Sequence, residues 1–234
     1  PDLPTGLALP GDITQVDVGM SLAPVGPGGT AGATSCTADD GVSDVRTVTC
    51  SFNDVPVETY TVEVTIGGSY YTGSAENVLT VYAPSLGFTT GGGWFSWPRT
   101  GEKTNFGYTM KYGKKGTNVK GSLLLIRHMP DGQKYRIKSN ALEGLAIGQD
   151  PDVPYGWASF SGKCTYLEPG MLEAEGNHGF TVYVEDHNEP GSGNDRVWIT
   201  TRGKDGSTIT AMSLDETAPD NAVDIQGGNI VAPH

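Results

Sequence analysis

Phe88-Thr89-Thr90-Gly91-Gly92-Gly93-Trp94-Phe95 decides how this chain is read. Strand-forming residues flank three consecutive glycines. The stretch therefore predicts a strand on which another backbone or an aromatic ring can lie directly, because no Cβ stands in the way. Trp94 and Trp97 then point to opposite faces, or to the same face if a bulge intervenes. Three glycines also suggest a loop that cradles phosphate. Such a loop needs a helix start and a Lys-Ser/Thr pair, and neither follows here.

Working outward, Tyr82-Ala83-Pro84 marks a change of character just upstream. Residues 1–83 hold one basic residue, Arg46, and ten acids, a balance of −9; residues 84–234 hold fourteen basic residues and seventeen acids, a balance of −3. Two modules joined by a short linker are expected, with a boundary at 83/84. The net charge of −12 argues against nucleic acid, since phosphate binding requires a basic surface. No apolar run approaches the length of a membrane span, so insertion into a bilayer is not expected. The abrupt start at Pro1-Asp2-Leu3-Pro4, with no signal peptide, reads as a mature or excised piece of something larger.

Strand signals dominate both modules, and Gly or Pro interrupts nearly every longer stretch. In the first module Thr59-Tyr60-Thr61-Val62-Glu63-Val64-Thr65-Ile66 alternates with period two, and Gly67-Gly68 turns the chain. Turn signals every 8–12 residues over about 80 residues predict an immunoglobulin-like sandwich. In the second module strands are expected at 87–97, 105–112, 119–128, 133–139, 157–167, 179–185, 196–201, 208–214 and 229–231. The segment 144–148 is either a strand or one helical turn. Ser122-Leu123-Leu124-Leu125-Ile126 is continuously apolar and predicts a central strand. The fold class is all-β: an immunoglobulin-like domain at 1–83, then a β-sandwich or barrel of about ten strands at 84–234.

Cys36 and Cys50 flank a turn containing Asp40-Gly41. Two strands leaving that turn bring the cysteines within bridging range; two reduced, buried thiols are the alternative. A bridge closing a loop of this size contributes about 3 kcal/mol in the chain-entropy description and implies an oxidising compartment. Cys164 has no evident partner and reads as a small buried hydrophobe.

The strings Gly87–Trp94, Lys103-Thr104-Asn105-Phe106-Gly107-Tyr108, Lys111-Tyr112-Gly113-Lys114-Lys115-Gly116 and Gly227-Gly228-Asn229-Ile230-Val231 resemble the GGGW-type β module that closes large bacterial cell-surface proteins. Residues 36–82 resemble the immunoglobulin-like repeats found upstream of it. The resemblance implies a bacterial, secreted or cell-surface location and a non-catalytic structural, adhesive or assembly role. The implied partners are other extracellular modules or further copies of the chain. It carries over no catalytic or ligand residue.

Three candidate chemistries remain. Glu185-Asp186-His187-Asn188-Glu189-Pro190-Gly191-Ser192-Gly193-Asn194-Asp195 is an oxygen-rich loop between two strands, in which Asp186, Asn188, Glu189 and Asp195 are candidate ligands for calcium. The alternative is a solvated hairpin whose Asp and Asn make local turn bonds. Trp97, Tyr155 and Trp157 lie near loops and are the candidate exposed aromatics for stacking on a polysaccharide. Catalysis is not expected. No His-Glu-x-x-His or Gly-x-Ser-x-Gly pattern occurs, and no single carboxylate pair stands out. No cofactor is required, calcium being the one candidate.

Overall fold

The structure is a computed structural model that describes residues 13, 16–24, 31–32, 35–39, 45–56, 58–68, 71–81, 87–113, 118–148, 154–187, 190–214 and 218–233. The molecule is all-β. The chain divides into two compact units: Pro1–Ala23, Gly29–Val55 and Thr61–Asn77 form one, and Pro24–Gly28, Pro56–Tyr60 and Val78–His234 form the other.

The first unit is built mainly from a four-stranded sheet in the order β2-β1-β5-β6 and a separate hairpin, β3–β4. The strands are β1 (Asp17–Pro24), β2 (Ala31–Gly32), β3 (Ser35–Ala38), β4 (Val48–Ser51), β5 (Glu58–Gly67) and β6 (Gly73–Val81). In β5 the expected alternation holds between half-buried Val62 and Val64 and exposed Glu63 and Thr65. Leu22 is nevertheless the sole buried apolar side chain among the described residues of this unit. Covalent and polar ties carry correspondingly more. Cys36 and Cys50 are direct cross-strand partners and form a disulfide. Arg46, the one basic residue before position 84, donates to the carbonyls of Asp39, Ile13 and Val16. It thereby ties the hairpin to the approach to β1. The Thr47 N–H closes the arrangement on Asp39 Oδ1 at 3.0 Å.

The second unit is one curled antiparallel sheet in the order β14-β13-β12-β11-β10-β9-β8-β7-β15. Its strands are β7 (Phe88–Ser96), β8 (Lys103–Tyr112), β9 (Val119–His128), β10 (Lys134–Gly148), β11 (Gly156–Leu167), β12 (Glu175–Asp186), β13 (Arg196–Arg202), β14 (Val223–Asp224) and β15 (Gly227–Val231). β14 and β15 occupy opposite edges of the sheet, yet only Ile225 and Gln226 separate them in sequence. The Ile225 N–H bonds the Asp195 carbonyl at the β13 edge, and the Gln226 N–H bonds the Trp94 carbonyl at the β7 edge. One chain segment thus joins both edges and closes the sheet into a barrel, which removes its exposed edges.

Alternation fills the barrel. Phe95, Phe106, Leu125, Ile137, Phe160 and Ile199 point inward and are almost fully buried. The triple glycine does what a missing Cβ permits. A Cβ at Gly91 would lie 2.7 Å from the Tyr108 ring, and one at Gly93 would lie 2.0 Å from the Gly227 carbonyl oxygen. An aromatic ring fills the first gap and the closing strand fills the second. Trp94 lies under the Lys103 ammonium, 4.7 Å from its ring centre, while Trp97, three positions on, is buried.

Two strand expectations hold with refinement and one is corrected. The segments 133–139 and 144–148 belong to one strand, β10. Register shifts at Ser139/Ala141 and Leu142/Gly144 let exposed Asn140 and Glu143 turn outward without ending it. The segment 208–214 is a 3-10 turn (Thr210–Met212) whose flanks bond to β13: the Ile209 N–H to Thr201 O and the Leu214 N–H to Ile199 O. β9 is central in its pairing, but Leu124 is 41% exposed, so its continuous apolar run does not mean two covered faces.

Candidate functional site

The barrel end where β7, β9, β11 and β13 finish holds a cavity of about 440 Å³. Trp97, Met129, Tyr135 and Leu214 form its apolar side. Arg99, Thr100, Arg127 and Ser213 supply its polar groups. Arg127 organises the wall. It sits at an inward position of β9, in step with Leu123 and Leu125, and is 93% buried by its 7% exposure. Its guanidinium carbon lies 4.4 Å from the Trp97 ring centre and 5.7 Å from that of Tyr135. Nη1 donates to the Ala211 carbonyl at 2.6 Å; Nη2 donates to Thr100 Oγ1 and to Glu102 Oε2, each at 3.1 Å. Nε has no partner. Hydrogen bonding from Thr100, and then the Arg127 guanidinium, hold the Glu102 carboxyl below the usual range.

The rim is a tight turn between β7 and β8, closed by Gly101 N–H to Trp97 O and Trp97 N–H to Glu102 O. Arg99 stands in it with φ +69°, a left-handed conformation that is uncommon for a residue with a Cβ. The aromatic wall continues inward: the Tyr135 and Tyr166 rings are 6.5 Å apart and Tyr166 lies 5.2 Å from the His178 ring.

The opposite barrel end carries the oxygen-rich loop. Asp195 is fully buried and accepts two backbone amides, His187 N–H at 2.9 Å and Ile230 N–H at 2.7 Å. Asp186 accepts the Ala232 N–H at 2.9 Å. Both carboxylates therefore fasten the closing strand to the barrel. Burial raises the Asp195 pKa against the pull of these amides. Asn188 and Glu189 lie outside the described residues. Among the described residues no group of three or more His, Cys, Asp or Glu is placed to hold a metal ion.

Between β12 and β13 a further polar cluster surrounds Glu185, which is fully buried. It accepts the Tyr183 hydroxyl at 3.0 Å and Arg196 Nη1 at 3.3 Å, and its Oε2 lies 2.8 Å from His187 Nε2. Tyr155 is half-buried with its ring 4.2 Å from that of His187; burial, followed by Glu185, raises its pKa.

The expected exposed platform is corrected. Trp157 is 2% exposed and packs 6.3 Å from Tyr183, because β11 is covered on both faces; Trp97 is 6% exposed and faces the cavity instead of open solvent. Tyr155 is half-buried, with its ring 4.2 Å from that of His187. The three residues do not come together. Cys164 is buried, with its thiol pushed up to about 12 by desolvation, and sits opposite His178 in the sheet register.

Arg99, Glu102 and Arg127 escaped the sequence reading, and Glu185 entered it only as the first residue of the oxygen-rich loop. For Arg127 a signal existed, since a charge at an inward period-two position of a strand must find partners inside. No family model, curated protein or solved structure matches the chain, so the functional argument rests on this geometry.

Proposed function

We propose that the chain is a non-catalytic module of a larger bacterial extracellular or cell-surface protein, with a structural or adhesive role towards neighbouring modules or further copies of itself. The Cys36–Cys50 bridge carries this reading. The first unit buries a single apolar side chain among its described residues, so it leans on a disulfide, and disulfides persist in oxidising surroundings. The resemblance to GGGW-type modules supports the same assignment. The reading needs no cofactor. Calcium at the 186–195 loop would compete with the amide bonds that Asp186 and Asp195 accept.

Three measurements test the proposal. Cells of the source organism lysed directly into denaturant with an alkylating reagent, then analysed by mass spectrometry, should show label only on Cys164 of the three cysteines; labelling of all three would overturn the extracellular assignment. Purified chain should be retained on beads carrying itself or cell-envelope polysaccharide. Turnover of chromogenic esters or glycosides above the buffer rate would overturn the non-catalytic one.

A further inference from the structure

We infer that the outer face of β8–β11 is a docking surface for the acidic first unit of a second copy of this chain. The inference rests on the module reading, under which further copies are partners, and it names the surface they use.

Charge segregation carries it. The chain has 27 acidic residues against 15 basic ones. Strands β8 to β11 nevertheless hold eight basic residues and, as their one acid, Glu143. Arg127 points inward. Alternation places Lys111, Lys120, Lys134, Arg136, Lys138 and Lys163 on the outer face, away from Phe106, Leu125 and Ile137. The five lysines are exposed. None of them has an ion-pair partner among the described residues.

The fold alone does not ask for this arrangement. Lys134, Arg136 and Lys138 occupy three successive outward positions of β10, and Lys111 faces Lys120 across β8 and β9. Like charges so placed repel and cost stability. Two ordinary purposes do not fit. Lysines guard open sheet edges, but β8–β11 lie in the middle of the strand order. Solubility is served by net charge, and these residues reduce a charge of −12. Leu124, which is 41% exposed, and half-buried Ile126 sit between the charged rows, opposite Lys138 and Arg136. Apolar surface within a polar surround is the anatomy of a protein interface.

The chain itself supplies the complement. Its first unit holds nine acidic residues against Arg46, a balance of −8. Asp17 and Glu63 are exposed on one face of that unit's sheet: Glu63 accepts the Ser21 hydroxyl, and Ser21 follows Asp17 at even spacing on β1. The two surfaces belong to different units, so the contact is heterologous and each copy can accept another.

Sedimentation velocity of the whole oxidised chain tests this. At low ionic strength the weight-average mass should rise with concentration, and about 0.5 M sodium chloride should return it to the monomer. Lys134→Gln with Lys138→Gln should weaken association about tenfold, and so should Asp17→Asn with Glu63→Gln. All four are exposed positions, so circular dichroism should stay that of the wild type. Mixed, the two variants should recover a one-to-one complex at the wild-type affinity, because each retains the surface that the other lacks. A monomer at every concentration would overturn the inference. Association that either variant leaves unchanged would overturn the surface which that variant alters. Retention of a monomeric chain on polygalacturonate beads, lost in the lysine variant, would assign the face to a polyanion and overturn the second-copy partner. The cysteine labelling and the turnover assay judge the module reading separately.

Discussion

Asp195 accepts two backbone N–H groups from opposite sides, His187 on its own loop and Ile230 on the closing strand. Replacing it with Asn leaves one oxygen for two donors and costs about 1–3 kcal/mol, the penalty for a buried unpaired amide. Urea unfolding of the second unit measures this. The sign of the pH dependence follows from the raised pKa. A folded-state value above the unfolded 3.8 stabilises the fold most fully below pH 3.8, and that contribution fades as pH rises through the folded value. The advantage of the wild type over Asp195→Asn should therefore shrink between acid and neutral pH. A gap that widens instead would contradict the burial argument. The sequence showed that Asp186 and Asp195 belong to one oxygen-rich loop. Their actual partners, amides some 35–46 residues downstream, are visible only when the chain closes on itself.

At the scale of elements, β7 and β15 meet across the triple glycine. A Cβ at Gly93 would stand 2.0 Å from a backbone oxygen that cannot move without breaking the pairing of Gly227 and Gly228 with Trp94 and Gly93. Gly93→Ala should destabilise the second unit by about 3 kcal/mol, the upper part of the overpacking range, and deprotect the amides of 227–231 in hydrogen exchange. Gly92→Ala is the control, because its Cβ would meet nothing nearer than 3.5 Å. β7 was legible from the strand formers flanking its glycines and β9 from its continuous apolar run. β14 was not, since two residues carry no period. Thr208–Leu214 alternates like a strand but runs into β13 through isolated bonds at Ile209 and Leu214. Trp157 defeated the expectation of exposure because a loop-proximal tryptophan can still fall on a strand that is covered on both sides.

At the scale of the whole molecule, the two units draw stability from different sources. The second has a large aromatic and aliphatic core; among the described residues of the first, only Leu22 is buried and apolar. Calorimetry should show two transitions. Replacing both Cys36 and Cys50 with Ser should lower the first by the equivalent of about 3 kcal/mol and leave the second in place. A shift of both together would show that the units unfold as one. The disulfide was legible from its turn. The cavity was not, because its wall gathers residues from positions 97 to 214, and no local pattern announces so distant a meeting. Closure by residues 223–231 has a consequence for biogenesis. The β7 partners of residues 227–231 lie some 140 positions earlier, so a growing chain leaves that margin of β7 unpaired until β15 has been made. During that interval the same margin is open to β7 of a sister polypeptide, so prompt pairing with β15, or a chaperone, guards against misassembly.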